Sequence, residues 1–306
     1  AAPEQGRQRP RGGGLTMDDP KRPLSASSLA TYAACPRKYA FRYLHRVTPE
    51  HRPAALAFGS AVHSALELLH LMRMDGEKVD PTKLVRTFRA DWQAQVDTGL
   101  SFKHDESANM LRFMGEHLVL EYAKWLGDRP ILAAEQPFEI ELVDPETGEV
   151  TDERLRGYFD LVLPGDVVAE VKTAARRFDE GTLGRKIQFT AYAYAWRQMR
   201  GRDPTILIVS LLKQQRPQLA ENIAPRTKED DAFFFHLALD AAEAIQSRAF
   251  PPNVSFMCGD CEYAKACRRY RGPELLHEPP PPIAGMVSLG SVIPRVLADA
   301  RTAQIG

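Results

Sequence analysis

The chain has 306 residues, 44% of them hydrophobic and 26% charged, and its 40 basic and 40 acidic side chains balance to a formal net charge of zero. That composition belongs to an ordinary globular chain of one large domain or two modest ones. The zero balance excludes a whole-surface polyanion binder but leaves room for a local one. No run approaches the eighteen or more consecutive apolar residues of a membrane helix, so no membrane contact is expected.

Ala1–Pro20 is rich in Gly, Pro and Arg and lacks the apolar core of a signal peptide, so residues 1–22 read as a disordered extension, with Met17 an internal start. Ser25–Leu44 predicts a helix pair interrupted at Pro36, with Ser27 or Ser28 as the N-cap ahead of Leu29 and Tyr32. Phe58–Met74 predicts a second helix with Val62, Leu66 and Leu69 on one face, followed by amphipathic helices over Pro81–Val96 and Glu106–Gly127. The pattern then changes to alternation over Ile131–Val143, a strand, with two more strands over Arg156–Leu163 and Val167–Thr173 around the turn Pro164-Gly165-Asp166. Lys186–Arg200 predicts a helix, Thr205–Leu212 a buried strand, and Asp230–Arg248 a last helix. A Pro-rich tail begins at Glu278, so residues 274–306 read as flexible and 23–273 as the folded domain. From Glu170 to Arg202 there are eight basic residues and three acidic ones, a local excess of positive charge that suits a solvated helix face or a nucleic acid.

The four cysteines are Cys35, alone near the start, and Cys258, Cys261 and Cys267, spaced C-x2-C-x5-C. Four thiolates suffice for one metal centre, either an iron–sulfur cluster or a zinc ion. Such a centre would tie the two ends of the chain together, against a loop-closure cost of roughly 5 kcal/mol that metal–thiolate bonds readily offset. The plain alternative is four unrelated buried cysteines. No secretory signal favours a disulfide, and a reducing cytoplasm is the expected compartment.

The hairpin centred on Gly165 carries the chemistry. Pairing residues whose numbers sum to 330 sets Asp160 opposite Glu170, with Cβ atoms about 5 Å apart. Glu170 and Lys172 lie two apart on one strand and share a face. Two facing carboxylates repel unless a divalent cation relieves them, and hard oxygen ligands suit Mg²⁺ or Mn²⁺, with the main-chain carbonyl of Val171 as a further ligand. An ion so held lowers the pKa of a bound water and polarises a phosphoryl oxygen, while Lys172 orients the nucleophile or stabilises developing charge. The plain alternative is an exposed strand face with a Glu–Lys ion pair, but the apolar residues around the trio (Leu161, Val162, Val168, Val171) mark these strands as buried.

The segment Gly157-Tyr-Phe-Asp160 followed by Glu170-Val-Lys172 resembles the core of the PD-(D/E)XK nucleases, in particular their RecB-like and Cas4-like branch. CPRKYAFRYL from Cys35, FGSAVHSALE around His63, Gln188-x3-Tyr192 and the closing CGDCEYAKAC from Cys258 stand in the order that branch has, so the resemblance spans about Ser25–Tyr270. It implies an α/β restriction-endonuclease-like mixed sheet flanked by helices, with a helical N-terminal part and a C-terminal segment bound to an iron–sulfur cluster. It implies that Asp160 and Glu170 bind Mg²⁺ or Mn²⁺, that Lys172 is catalytic and that His63 is a further metal ligand. Gln188 and Tyr192 would hold DNA or orient the site. Cys35, Cys258, Cys261 and Cys267 would hold a [4Fe–4S] cluster. Glu135, at the start of the first strand, is a weaker candidate ligand, and Arg176, Arg177, Arg185 and Lys186 lie where phosphates could be gripped.

The expected function is a metal-dependent DNA nuclease, an exonuclease acting on ends or single strands in repair or recombination. No G-x4-G-K-[ST] sequence is present, so any unwinding falls to a separate helicase partner. A DNA-binding subunit with a vestigial site, a Cas4-like role in CRISPR spacer acquisition and a zinc-dependent regulatory protein are the competing readings.

Overall fold

The computed structural model describes residues 22–214 and 216–271. The expected extension, Arg22 apart, and the Pro-rich tail lie outside those residues.

Helix α1 (Ala26–Ala34) begins not at Ser27 or Ser28 but at Ser25. Ser25 has the extended backbone of an N-cap and closes a capping box with Ser28. Cys35 interrupts the helix ahead of Pro36, as a residue before proline is driven to do. Helix α2 (Pro36–Tyr39) then widens into a π-helical segment, Ala40–Leu44.

Helices α3 (Ala54–Met74), α4 (Pro81–Asp97) and α5 (Ala108–Leu126) pack together. By length and mean hydropathy α3 is apolar enough to cross a membrane, although His63, Glu67, His70 and Arg73 break any continuous apolar run. In this fold Phe58, Val62, Leu66 and Leu69 on α3 are core residues packed against α4, α5 and the sheet.

Five strands form one sheet in the order β1 (Ala133–Val143), β2 (Val150–Leu163), β3 (Val167–Ala174), β4 (Thr205–Leu212), β5 (Gln218–Ile223). Only β3 and β4 run parallel. A parallel pair needs a crossover, here made by α6 (Glu180–Gly184) and α7 (Ile187–Arg200). Helix α8 (Lys228–Gln246) follows, and α9 (Ala264–Arg269) ends the described chain.

The sheet is sandwiched. One face carries α3–α5, with Leu161, Leu163, Ala169, Val171, Val209 and Leu211 in that core. The other carries α1, α7 and α8, with Phe138, Phe159, Val162, Val168 and Ile208 in a second core. The C-terminal segment returns to the front of the chain. Asn253 Nδ2 donates to the Ala34 carbonyl at 2.9 Å, Lys38 pairs with Glu262 at 2.7 Å, and Phe41 packs on Tyr263 and Tyr270.

Candidate active site

The hairpin register is the expected one. Leu163 pairs with Val167, Val162 with Val168 and Leu161 with Ala169, each pair summing to 330. The ladder stops there. Asp160 is next in line, but its Oδ2 accepts the Val171 N–H at 2.9 Å instead. On its other side, β1 pairs Ala134 with Leu161 and Gln136 with Phe159, which sets Glu135 opposite Asp160. Glu135 has φ +46°, a left-handed backbone costly for any residue with a Cβ. Phe159 packs in the α1–α7 core and Leu161, two residues on, in the α3–α5 core. Strict alternation thus fails at Asp160, where the strand turns its carboxylate into the site.

Three elements supply the remaining groups. From α3, His63 brings Nε2 to 3.0 Å from the Val171 carbonyl and Nδ1 to 4.0 Å from Asp160 Oδ2. His63, Glu135 and Asp160 each offer a ligand atom, and these lie within 4.8 Å of one another. From β3, Glu170 is fully buried and its Oε1 pairs with the Lys172 ammonium. From α7, Gln188 Nε2 donates to Glu170 Oε1 at 2.8 Å and to the Tyr192 hydroxyl at 2.8 Å. Gln188 and Tyr192 meet because residues four apart share a helix face.

The electrostatics are those of too many acids in too little water. Burial raises Asp160 to about 6, with the Val171 N–H and Lys172 opposing. Burial, then the Asp160 charge, raises Glu170 to about 7. Burial, then Glu67 and Glu170, raise Glu135 to about 7. Burial pulls the His63 imidazole below its ordinary value and keeps it neutral, the form a metal ligand needs. Burial acts to lower Lys172 too, but the Glu170 carboxylate prevails and its pKa is raised. Tyr192 is pushed up by burial and then by Glu170, so it keeps its proton.

These residues fit a divalent cation. Glu170 Oε2 is buried without a hydrogen-bond partner, a costly state for a carboxylate oxygen. The 3.0 Å between His63 Nε2 and the Val171 carbonyl is also the spacing of neighbouring ligands around an octahedral ion with bonds of about 2.1 Å.

The basic stretch divides in two. Arg197 is consumed by Asp203 and Asp231, Arg202 by Asp166, and Lys172 by Glu170. Arg176, Arg177, Arg185 and Lys186 are exposed and form no ion pair among the described residues. Two positions inside the quoted motifs were given no role by the reading of the sequence. Glu67 lies one turn beyond His63 on α3 and adds its charge to Glu135; the i, i+4 spacing was the available signal. Gly157 is the other. A Cβ there would sit 2.5 Å from the Phe138 ring, which stacks on Phe159 next to Asp160 at a centroid distance of 4.6 Å.

Backbone N–H groups of Asn253 and Ser255 point at the sulfurs of Cys35 (3.5 Å) and Cys258 (3.4 Å). Burial raises the Cys267 thiol against the opposing charge of Arg37, and Cys35, Cys261 and Cys258 add to the rise.

The chain matches the model of the PD-(D/E)XK nuclease superfamily over residues 23–268, and it belongs to that superfamily. Nucleases of this superfamily act on DNA and use divalent metal ions. Among solved structures the fold is similar to a candidate exonuclease from Eubacterium rectale, at 14% identity, 88% coverage of this chain, 96% coverage of that chain and a TM-score of 0.57. A second similar structure, SSO0001, is 16% identical, covers 66% of this chain and 95% of its own, and has a TM-score of 0.33. No curated protein matches.

Proposed function

We propose that the protein is a metal-dependent DNA exonuclease of the RecB-like and Cas4-like branch, working on ends or single strands in repair or recombination beside a separate helicase. The observation that carries the catalytic assignment is the buried Glu170, one oxygen held by Gln188 and Lys172 and the other without a partner. The name of the Eubacterium rectale fold neighbour supports the exonuclease part.

Asp160, Glu170, Glu135, His63 and the Val171 carbonyl would hold the ion. When bound, a divalent ion activates a water and stabilises charge at the phosphoryl group. Gln188 fixes one Glu170 oxygen so that the other stays directed into the site, and Tyr192 orients Gln188. Lys172, kept cationic by Glu170, offsets the negative charge that grows on the scissile phosphate. Its raised pKa favours that role over a general base. Arg176, Arg177, Arg185 and Lys186 supply exposed cations for the phosphates that flank the cut.

The four cysteines are assigned to a [4Fe–4S] cluster. Backbone N–H groups aimed at two of the sulfurs suit thiolates. The C-x2-C half is shared with zinc sites, and the order of one cysteine before the nuclease core and three after it is what favours the cluster.

The test is degradation of end-labelled single- and double-stranded DNA by anaerobically purified protein in Mg²⁺, Mn²⁺ or EDTA, with Lys172→Ala alongside. Metal-dependent degradation that the variant loses supports the assignment. Equal inertness of the two proteins, both retaining the visible absorbance of a cluster, sinks it for the isolated chain.

A further inference from the structure

The segment between α8 and the cysteines is built against the usual rule for apolar side chains. Val254 is 84% exposed, Phe256 94% and Met257 47%, all within four residues. Nothing in the catalytic reading needs them. Scattered apolar side chains on a surface are ordinary, but a contiguous group marks an interaction site.

The surroundings of this group say what it meets. Phe256 and Met257 immediately precede Cys258, and Arg268 immediately follows Cys267. Backbone hydrogen bonds from Gly259 to Phe256, Cys261 to Cys258, Ala264 to Cys261 and Cys267 to Tyr263 close the chain between them into successive turns, so the apolar loop and the end of α9 belong to one tightly turned segment. Arg268, Arg269 and Arg271 are exposed, and none pairs with a carboxylate among the described residues. The acids close by do not cancel them. Among the described residues near them, Glu262 is taken by Lys38 and Glu50 by Lys265, and Asp260 is exposed. A projecting aromatic ring in one segment with three exposed guanidinium groups, of which Arg271 also donates to the Arg268 and Tyr270 carbonyls, is the pairing that single strands select, since every base has a face to stack and every nucleotide a phosphate.

We infer that the cysteine module is a binding surface for single-stranded DNA, in which Phe256 stacks on a base and Arg268, Arg269 and Arg271 engage phosphates. The inference extends the nuclease reading and rests on it for the choice of DNA. Glu50, which hydrogen-bonds to the module through Glu262, lies only a few residues before α3. His63 stands ten residues beyond Pro53, about 15 Å along that helix at 1.5 Å per residue. The module and the metal-binding groups are thus connected through the first turns of α3.

The experiment measures equilibrium binding of a fluorescent oligo(dT) to the full chain in EDTA by anisotropy, as a function of salt. It compares wild type with Phe256→Ala, Phe256→Trp and the double variant Arg268→Ala/Arg269→Ala. Phe256→Ala is expected to weaken binding about 5-fold or more, the loss of one stacked base, and Phe256→Trp to retain it. The double variant should flatten the slope of log affinity against log salt by about 1.4, at roughly 0.7 per phosphate contact on a single strand. Affinity and salt slope unchanged in all variants overturn the inference and leave the patch to a protein partner. Binding in EDTA is independent of cleavage. Inert protein that still loses oligo(dT) affinity on Phe256→Ala would thus count against the catalytic reading and not against this surface.

Discussion

Glu135 faces Asp160 across β1 and β2 from a backbone with φ +46°, so one of the candidate ligands is held in a conformation that its own residue type disfavours. Strain of this kind persists where surrounding structure enforces it, and it clusters at functional sites. Glu135→Gly should relieve it. In metal-free protein the variant is expected to gain about 1 kcal/mol of stability in urea unfolding, since it also removes a carboxylate raised by burial and then by Glu67 and Glu170. Mn²⁺ affinity by calorimetry should fall in the same variant. Unchanged affinity would remove Glu135 from the ligand set.

The raised carboxylates make ion binding a competition with protons. With Asp160 at about 6 and Glu170 and Glu135 at about 7, the metal-free site carries protons at neutral pH that an ion must displace. Mn²⁺ binding at pH 7 should release about one proton or more, seen as a dependence of the calorimetric heat on buffer ionisation enthalpy. Affinity should drop at least 10-fold from pH 8 to pH 6. The same three groups bind protons more tightly in the folded than in the unfolded chain. Their contribution to metal-free stability is therefore full below pH 4 and lost as pH rises through 6 to 7. A pH-independent affinity would contradict the burial that causes these shifts.

Buried His70 acts in the opposite direction. Burial lowers it to about 4, while Tyr122 holds its Nε2 at 2.8 Å and its Nδ1 has no partner. A depressed histidine contributes stability above its unfolded pKa of about 6.5 that is lost as pH falls towards 4, about 3 kcal/mol in all. His70→Gln should flatten the acid limb of the unfolding curve between pH 6.5 and 4. An acid limb identical to wild type would assign the loss to other groups.

Gly157→Ala puts a methyl group 2.5 Å from the Phe138 ring, and the ring cannot retreat because Phe159 stacks against it. Overpacking of this sort costs about 1–3 kcal/mol. The variant should unfold at lower urea concentration. Because Phe159 adjoins Asp160, its kcat should fall more than its KM rises. A variant as stable as wild type would mean that the strand moves aside freely.

Cys35→Ala tests the closure of the two ends. Anaerobically purified wild type should show iron and visible absorbance that the variant lacks, and the variant should melt several degrees lower. Limited proteolysis should cut it first between α8 and α9. Equal melting would show that Lys38–Glu262 and the Phe41 cluster hold the ends without the thiols.

What the sequence disclosed depended on how strongly local chemistry dictated structure. Thr205–Leu212 has its predicted bounds because an unbroken apolar run has one use, a strand buried on both faces. The hairpin register followed from Pro164-Gly165-Asp166, where Gly165 and Asp166 both take positive φ. The charged first half of β2, Val150–Leu155, was left unassigned because its residues show no apolar alternation, and its pairing with β1 makes it a strand. Strand β5 is an edge strand with few buried residues, so alternation was too weak to detect. The meeting of α3, β1 and α7 at Asp160 is tertiary, and spacing along the chain had nothing to say about it. The serine that caps α1 was misplaced because three serines compete there and only backbone geometry chooses Ser25.

The contact between Asn253 and Ala34 joins residues 219 positions apart. During synthesis the sheet, α3 and α7 are complete before Asn253 and the last three cysteines leave the ribosome. A prematurely ended chain would thus carry every acidic group of the site with its front edge unfastened. The residues that fasten the front of the chain to its back are therefore made after every acidic group of the site, so the site's ligands and the closure of the molecule are separable in the order of synthesis.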